Sequence, residues 1–300
     1  MSSTSTNPPS TVILWVHPRS CSTMFEQSIL QRPKEFRVLH EPMGDAWYFG
    51  PERVAPRFSA QDCQQRYPQF SDSTFEKVWT NIVTPQTPNR TFSKDMAQYI
   101  FNTTENPVST TLGPVNDKQD GNPTLIPSHL LLDPSIVHTF LIRTPEKAIP
   151  SYYRLCYPGS PTDFNEFDPK ESGYKEVLEL FKFLKTNSDK EPLILDANDL
   201  LEHPKEIMKI WCQHVGVEFD ESMLQWNEGT REHFAKWPGW HTSAENSTGV
   251  GQGLSDKHIT PENHQTNNGS IKRELPDIVK QTIEENKPYY EYLKQFVTKP

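Results

Sequence analysis

Cysteine is scarce in this chain of 300 residues. Cys21, Cys63, Cys156 and Cys212 are scattered, with no CxxC pair and no metal-ligand spacing. A chain of this length needs no disulfide staples, so a reducing compartment fits best. The sixth residue after Cys21 is Gln27, not the Arg that a cysteine phosphatase loop requires. No GxGxxG string follows the first apolar run and no GxxxxGK[ST] string exists, which argues against a dinucleotide-binding Rossmann domain and against a nucleoside triphosphatase. Long apolar runs are missing too: none approaches the roughly 18 residues of a membrane span. The N-terminal MSSTSTNPPS lacks the basic-then-apolar pattern of a signal peptide. A soluble, cytoplasmic protein is expected. Positive charge is in deficit, 30 Lys and Arg against 39 Asp and Glu for a net charge of −9. Such a field repels nucleic acid and anionic membranes, so neither is an expected partner, and any anion site must be locally basic.

What is present is polar and loop-rich. Hydrophobic residues make up 34% of the chain, Pro occurs 27 times, and the mean hydropathy is −0.71. These values imply long loops around a modest core. Apolar runs and helical periodicities alternate: strand 11–16, helix 22–32, strand 36–40, helix 73–83, strand 90–94, helix 95–102, strand 136–142, helix 145–155, helix 171–187, strand 192–196 and helix 204–215. This order predicts an α/β fold, a parallel sheet flanked by helices, as a single domain over 11–300 behind a disordered 1–10. Segments 102–127 and 240–270 are too long for ordinary connections and are candidate lids. The tail 275–297 reads as two helical stretches, the second opened by Pro288.

Two strand-to-helix junctions carry anion-binding signals. The first is HPRSCST, His17–Thr23, between TVILWV and MFEQSILQR. Backbone N–H groups point outward at a helix start. Small Ser20, Cys21, Ser22 and Thr23 admit a close anion, and Arg19 supplies a planar cationic fork. The second is TFLIRTPEKAIPSYYR, where Arg143 ends a strand and Ser151 lies about two helical turns on. Read blandly, the first is a helix N-cap and the second a common strand end.

In that order, the two signals resemble the sulfotransferases that use 3′-phosphoadenosine 5′-phosphosulfate (PAPS). In that family a PRSGTT-type loop holds the 5′-phosphosulfate, and an Arg and a Ser eight apart hold the 3′-phosphate. The resemblance assigns Arg19, Ser20, Cys21, Ser22 and Thr23 to the first role and Arg143 and Ser151 to the second. It is strongest to a divergent branch with a PRSxST loop and a strand ending in an acidic-Pro pair, here VLHEP at Val38–Pro42. KDMAQY at Lys94–Tyr99, NDLLEHPKEIMKIWCQHVGV at Asn198–Val217 and WPGWHTSAENSTG at Trp237–Gly249 extend it over most of the chain. The phosphate loop departs from the common pattern at Cys21, whose Cβ resists the positive φ that Gly takes easily. No RKGxxG string is present; Lys257, Lys272 and Arg273 are the nearest candidates for that contact.

The implied reaction moves a sulfuryl group from PAPS, as co-substrate, to a hydroxyl or amine of a small molecule, and requires a base. The resemblance makes Glu41 the first candidate, because related enzymes of that branch carry a functional acid just after the second strand; a residue before Pro is pushed toward extended geometry, which would aim Glu41 off the strand end, with His40 pointing the opposite way. Asp95 follows Lys94 at the expected end of the third strand, where it alternatively caps a helix. His241, flanked by Trp237 and Trp240, is the third. Arg19 and the loop hydroxyls would stabilise developing charge. Trp47, Tyr48 and Phe49 suggest an apolar or aromatic acceptor. A second reading keeps the fold without the donor: another reaction, such as cyclisation or elimination, or ligand binding alone.

Overall fold

The computed structural model describes residues 10–85, 89–104, 108–113, 121–229, 232–251 and 274–300. Its centre is strand β1, Thr11–Val16, whose six residues are all buried. A strand covered on both faces reads as a continuous apolar run, as TVILWV does. β1 pairs in parallel with β3, Arg90–Met96, on one side and with β4, Ile136–Ile142, on the other. β2, Phe36–His40, lies outside β3, and β5, Leu193–Asp196, outside β4. The five-stranded order is β2-β3-β1-β4-β5. The direction of winding changes beside β1, and a parallel sheet opens a crevice at the carboxyl ends of its strands there.

Helices cover both faces. They are α1 (Ser22–Leu30), α2 (Ala60–Arg66), α3 (Phe75–Val83), α4 (Ser128–Leu131), α5 (Pro145–Tyr153), α6 (Tyr174–Asn187), α7 (Ala197–Glu202), α8 (Pro204–Val215), α9 (Thr242–Glu245) and α10 (Asp277–Lys294). Phe25 of α1, Phe36 of β2, Phe92 of β3 and Trp211 of α8 form one aromatic cluster, with centroids 5.5–6.4 Å apart, that fastens α1 and α8 to one face. Edge-to-face pairs of this kind add about 0.5–1.5 kcal/mol each beyond the area they bury. α8 closes on Gly216, whose φ of 71° suits the left-handed turn that ends a helix.

The single-sheet α/β architecture and the bounds of β1, β2 and β4 are as expected; several other elements differ. The predicted helix 95–102 is replaced by two more residues of β3 and a 3-10 turn at Ala97–Ile100. The tail is one helix rather than two, running through Pro288, because Tyr290 and Leu293 beyond the Pro are buried on the same side as Val279 and Ile283 before it. A π-helical turn, Asp45–Phe49, follows β2. At the expected lids, the described ends are packed: Leu125 and Ile126 are buried, and 240–251 lies over the phosphate loop. Segments 105–107, 114–120 and 252–270, and residues 1–9, fall outside the described residues, as do Lys257, Lys272 and Arg273.

Candidate active site

The HPRSCST loop leaves the carboxyl end of β1 at the crevice. Arg19 has φ 65° and Cys21 φ 66°, while Pro18 before them and Ser20 between them are outside the positive-φ range. Alternating backbone handedness turns successive N–H groups toward one side, the geometry of an anion-binding nest. Cys21 takes the positive φ despite the resistance of its Cβ: it adopts the left-handed conformation and starts α1, its carbonyl accepting from the amides of Met24 and Phe25 at 3.1 and 3.2 Å. His17 braces the loop from below. Its Nδ1–H donates to the Pro18 carbonyl at 3.0 Å and its Nε2 accepts from the Arg143 amide at 3.0 Å. Burial, aided by the nearby Arg143 charge, pushes the His17 imidazole down to about 3, so it stays neutral.

The two anion signals meet in space. Arg19 Nε donates to Ser151 Oγ at 3.0 Å and Nη1 to the Trp240 carbonyl at 2.6 Å. Arg143 Nη1 donates to the Arg19 carbonyl at 3.0 Å. Arg154, not anticipated from the sequence, joins them on the cavity wall. Among the described residues no carboxylate pairs with any of these three arginines. Burial and the mutual repulsion of these cations lower the Arg19 guanidinium to about 10. Arg143 Nε and Ser20 Oγ are buried with no hydrogen-bond partner among the described residues. A buried cationic group of this kind is stabilised by an anion, and the loop amides and unpartnered donors fit a phosphate or sulfate.

Beyond the arginines the cavity, about 250 Å³, is walled by Tyr48, Tyr99, Phe164, Trp237 and Trp240. Trp237 and Trp240 thus lie where expected. Of the Trp47–Phe49 trio only Tyr48 reaches the cavity; Trp47 donates to the Phe101 carbonyl and Phe49 stacks on Tyr67.

Glu41 also lines the cavity, but not by extended geometry. Its φ is 49°, which breaks the alternation of β2 and brings Glu41 and His40 to the same side, with His40 Nε2 3.8 Å from Glu41 Oε1. Lys94 Nζ, fully buried, binds Glu41 Oε1, and the Tyr99 hydroxyl lies 3.4 Å from Oε2. Burial works to raise the Glu41 carboxyl, but the bound Lys94 charge outweighs it and holds it below the usual carboxylate range. His241 lines the cavity as well, its Nδ1 3.0 Å from Thr23 Oγ1. Asp95 does not. It sits inside β3 opposite Trp15, taking hydrogen bonds from the Met43 amide at 3.0 Å and the Ser93 hydroxyl at 3.1 Å, and burial pushes its carboxyl well up. The alternative reading of Asp95 as a helix cap also falls, since no helix begins there.

Glu26, His40, Lys94 and His233 form a buried polar cluster beside the cavity that the sequence does not announce, because their partners come from distant segments. Their one local signal is charge inside apolar elements: Glu26 in MFEQSIL and Lys94 in a central strand.

Residues 126–257 match a family model described as a sulfotransferase domain. A sulfotransferase, ppzF, of Metarhizium majus is 24% identical over 191 residues, covering 58% of this chain and 55% of its own length. Branched-chain-amino-acid aminotransferase-like protein 2 of Arabidopsis thaliana is 28% identical over 125 residues, 41% of this chain and 20% of its own. The chain therefore spans from a fifth to about half the length of these relatives. Among solved structures, the sulfotransferase domain from the curacin biosynthetic pathway superposes with a TM-score of 0.50 at 14% identity, over 98% of this chain and 100% of that one. The protein has the sulfotransferase fold and carries a sulfotransferase-domain match in sequence.

Proposed function

We propose that this protein transfers a sulfuryl group from PAPS to a hydroxyl or amine of a small molecule. The observation that carries the reading is the meeting of Arg19, Arg143, Arg154 and Ser151 at the phosphate loop, with no carboxylate counter-charge among the described residues. Arg19, Ser20, Cys21, Ser22 and Thr23 would hold the 5′-phosphosulfate, and Arg143 with Ser151 the 3′-phosphate. PAPS supplies an SO₃ group whose bond to the 5′-phosphate breaks, the electron pair leaving on the phosphate, as the acceptor oxygen or nitrogen bonds to sulfur and gives up its proton. The chain's own residues position this exchange and stabilise its charge, which is the larger part of catalysis for such transfers. Glu41 and His241, both unprotonated at neutral pH, face the cavity from the acceptor side. The aromatic wall suits an apolar or aromatic acceptor.

Calorimetry with 3′-phosphoadenosine 5′-phosphate tests the reading. Micromolar binding to the wild type is expected, weakened by at least tenfold in Arg143→Ala, as for loss of a charge-assisted contact of about 1.5–3 kcal/mol. A folded wild-type protein that does not bind this nucleotide would overturn PAPS use and leave a repurposed fold acting on another anion.

A further inference from the structure

A hydrogen-bonded chain of four side chains runs from the interior to the phosphate loop. Glu26 Oε2 lies 2.8 Å from His40 Nδ1, His40 Nε2 lies 3.0 Å from His241 Nε2, and His241 Nδ1 lies 3.0 Å from Thr23 Oγ1. Glu26, His40 and His241 are each more than nine-tenths buried. The ends of the chain dictate its protons. Burial works to raise the Glu26 carboxyl, but His40 and Lys94 outweigh it and keep it ionised, with His233 Nε2 on its other oxygen at 2.8 Å. An ionised carboxylate only accepts, so His40 carries its proton on Nδ1 and offers a lone pair at Nε2. His241 then donates from Nε2–H, and its remaining lone pair, on Nδ1, faces the loop hydroxyl of Thr23.

Resting on the sulfuryl-transfer reading, we propose that His241 is the residue that takes the acceptor's proton, at Nδ1, and that Glu26 and His40 are positioning residues that fix its tautomer, the Glu26 carboxylate also favouring its charged form. The acceptor O–H or N–H bond breaks with its proton moving to Nδ1, while the pair it leaves behind completes the bond to sulfur. Thr23 frees that lone pair when its hydroxyl turns to donate to an anion in the loop. Protonated His241 still donates from Nε2 to His40, and the positive charge is balanced through His40 Nδ1–H by the Glu26 carboxylate. This is the logic of a carboxylate behind a catalytic imidazole, lengthened by one ring.

The groups around His241 agree with a neutral resting base. Burial first, then His40 and Lys94, hold it well below its ordinary value, with Arg19 acting in the same direction and Glu26 against them. Glu41 Oε1 lies 3.8 Å from the same His40 Nε2 that faces His241 but is bound to Lys94. His40, Glu41 and His241 place one atom each within 4.8 Å of one another, a spacing that a metal ion could also use. The buried Lys94 ammonium on Glu41 opposes a second cation there.

Nitrogen-15 spectroscopy of the histidines in the full chain tests the proposal without activity. Expected in the wild type are an Nδ1–H tautomer for His40 and an Nε2–H tautomer for His241. In the isosteric Glu26→Gln, His40 loses its anionic anchor and His241 moves to Nδ1–H. With PAPS and an acceptor, the same variant is expected to lose about 10²-fold in kcat with KM and nucleotide affinity within about twofold, and its pH–rate profile shifts. An Nδ1–H tautomer for His241 in the wild type, an unchanged tautomer in Glu26→Gln, or one zinc ion per chain with both Nε2 atoms unprotonated would each overturn it. Inverted tautomers in a protein that binds the nucleotide would overturn this inference alone. Failure of nucleotide binding would overturn the sulfuryl-transfer reading, and with it the role given to His241.

Discussion

Arg19 and Cys21 hold left-handed backbone in the loop between β1 and α1. Such a conformation costs an L-residue roughly 1–2 kcal/mol, and strain of this kind gathers where a site over-determines it. Cys21→Gly relieves the strain but loosens the unfolded chain, so a net stability change within about 0.5 kcal/mol is expected. Cys21→Val adds a β-branch to the same strained turn and is expected to lose about 1–2 kcal/mol. Urea midpoints decide this, and a Val variant as stable as the wild type would refute the account of strain. Glu41 sets a second residue-scale test. Replacing it with Gln leaves Lys94 with Glu26 as its remaining carboxylate, 3.6 Å away. A loss of about 2–4 kcal/mol is expected in urea unfolding, because breaking a buried pair strands a charge. Unchanged stability would mean that Lys94 is satisfied without Glu41. That Arg19, Arg143 and Ser151 belong together was legible because each lies in a contiguous strand-to-helix string. The orientation of Glu41 was not, because one positive φ after β2 cancels the side-chain parity on which the expectation rested. Arg154 stayed hidden for a simpler reason: nothing local separates it from a solvated Arg at a helix end.

Among the elements, β1 and β4 were read to the residue because both are buried along their whole length and are mostly apolar, β4 broken only by His138 and Thr139. β3 was ended at Lys94 because Asp95 resembles a helix cap at a strand exit; Asp95 and Met96 are instead buried and paired with Trp15 and Val16, and the polar atoms of Lys94 and Asp95 are satisfied by Glu41 and Met43 just after β2 and by Glu26 of α1. The short α2, α4, α7 and α9 leave too little periodicity to be seen before tertiary packing selects them. α10 shows packing overriding a local rule. Pro288 removes one helical hydrogen bond, yet the helix continues because Tyr290, whose hydroxyl donates to Asp196 at 2.7 Å, and Leu293 anchor its far half. Pro288→Ala restores the missing N–H, and a gain of about 1–2 kcal/mol is expected from the helix interior after allowing for the more flexible unfolded chain. A lower melting temperature in that variant would show that the Pro bend itself is needed for docking.

At the scale of the whole molecule, buried neutral imidazoles tie the fold to pH. His17 supports the loop, and His138 joins β4 to its surroundings, accepting from Trp15 Nε1 at 2.9 Å and donating to the Leu131 carbonyl at 2.8 Å. Burial holds His17 down at about 3 and His138 at about 4, against 6.5 for a free imidazole. Both values are lower in the folded state than in the unfolded one, so the unfolded chain binds more protons in acid and stability falls as pH drops below 6.5. Two such groups give a slope of about 2.7 kcal/mol per pH unit down to pH 4, and His17 alone continues to about pH 3. Glu26 and Glu41, ionised through their neighbours, lose their contribution lower still, as pH falls through the carboxylate range. Against a typical total of about 5–15 kcal/mol, the imidazoles alone bring the molecule close to unfolding near pH 4 to 5. Urea midpoints are therefore expected to be level between pH 7 and 8 and to drop steeply from pH 6.5 to 5. In His138→Gln that slope should fall by about 1.4 kcal/mol per pH unit. Equal midpoints at pH 7 and pH 5 would mean that His17 and His138 are protonated at no cost, and would contradict the neutral, buried His17 on which the geometry of the phosphate loop rests.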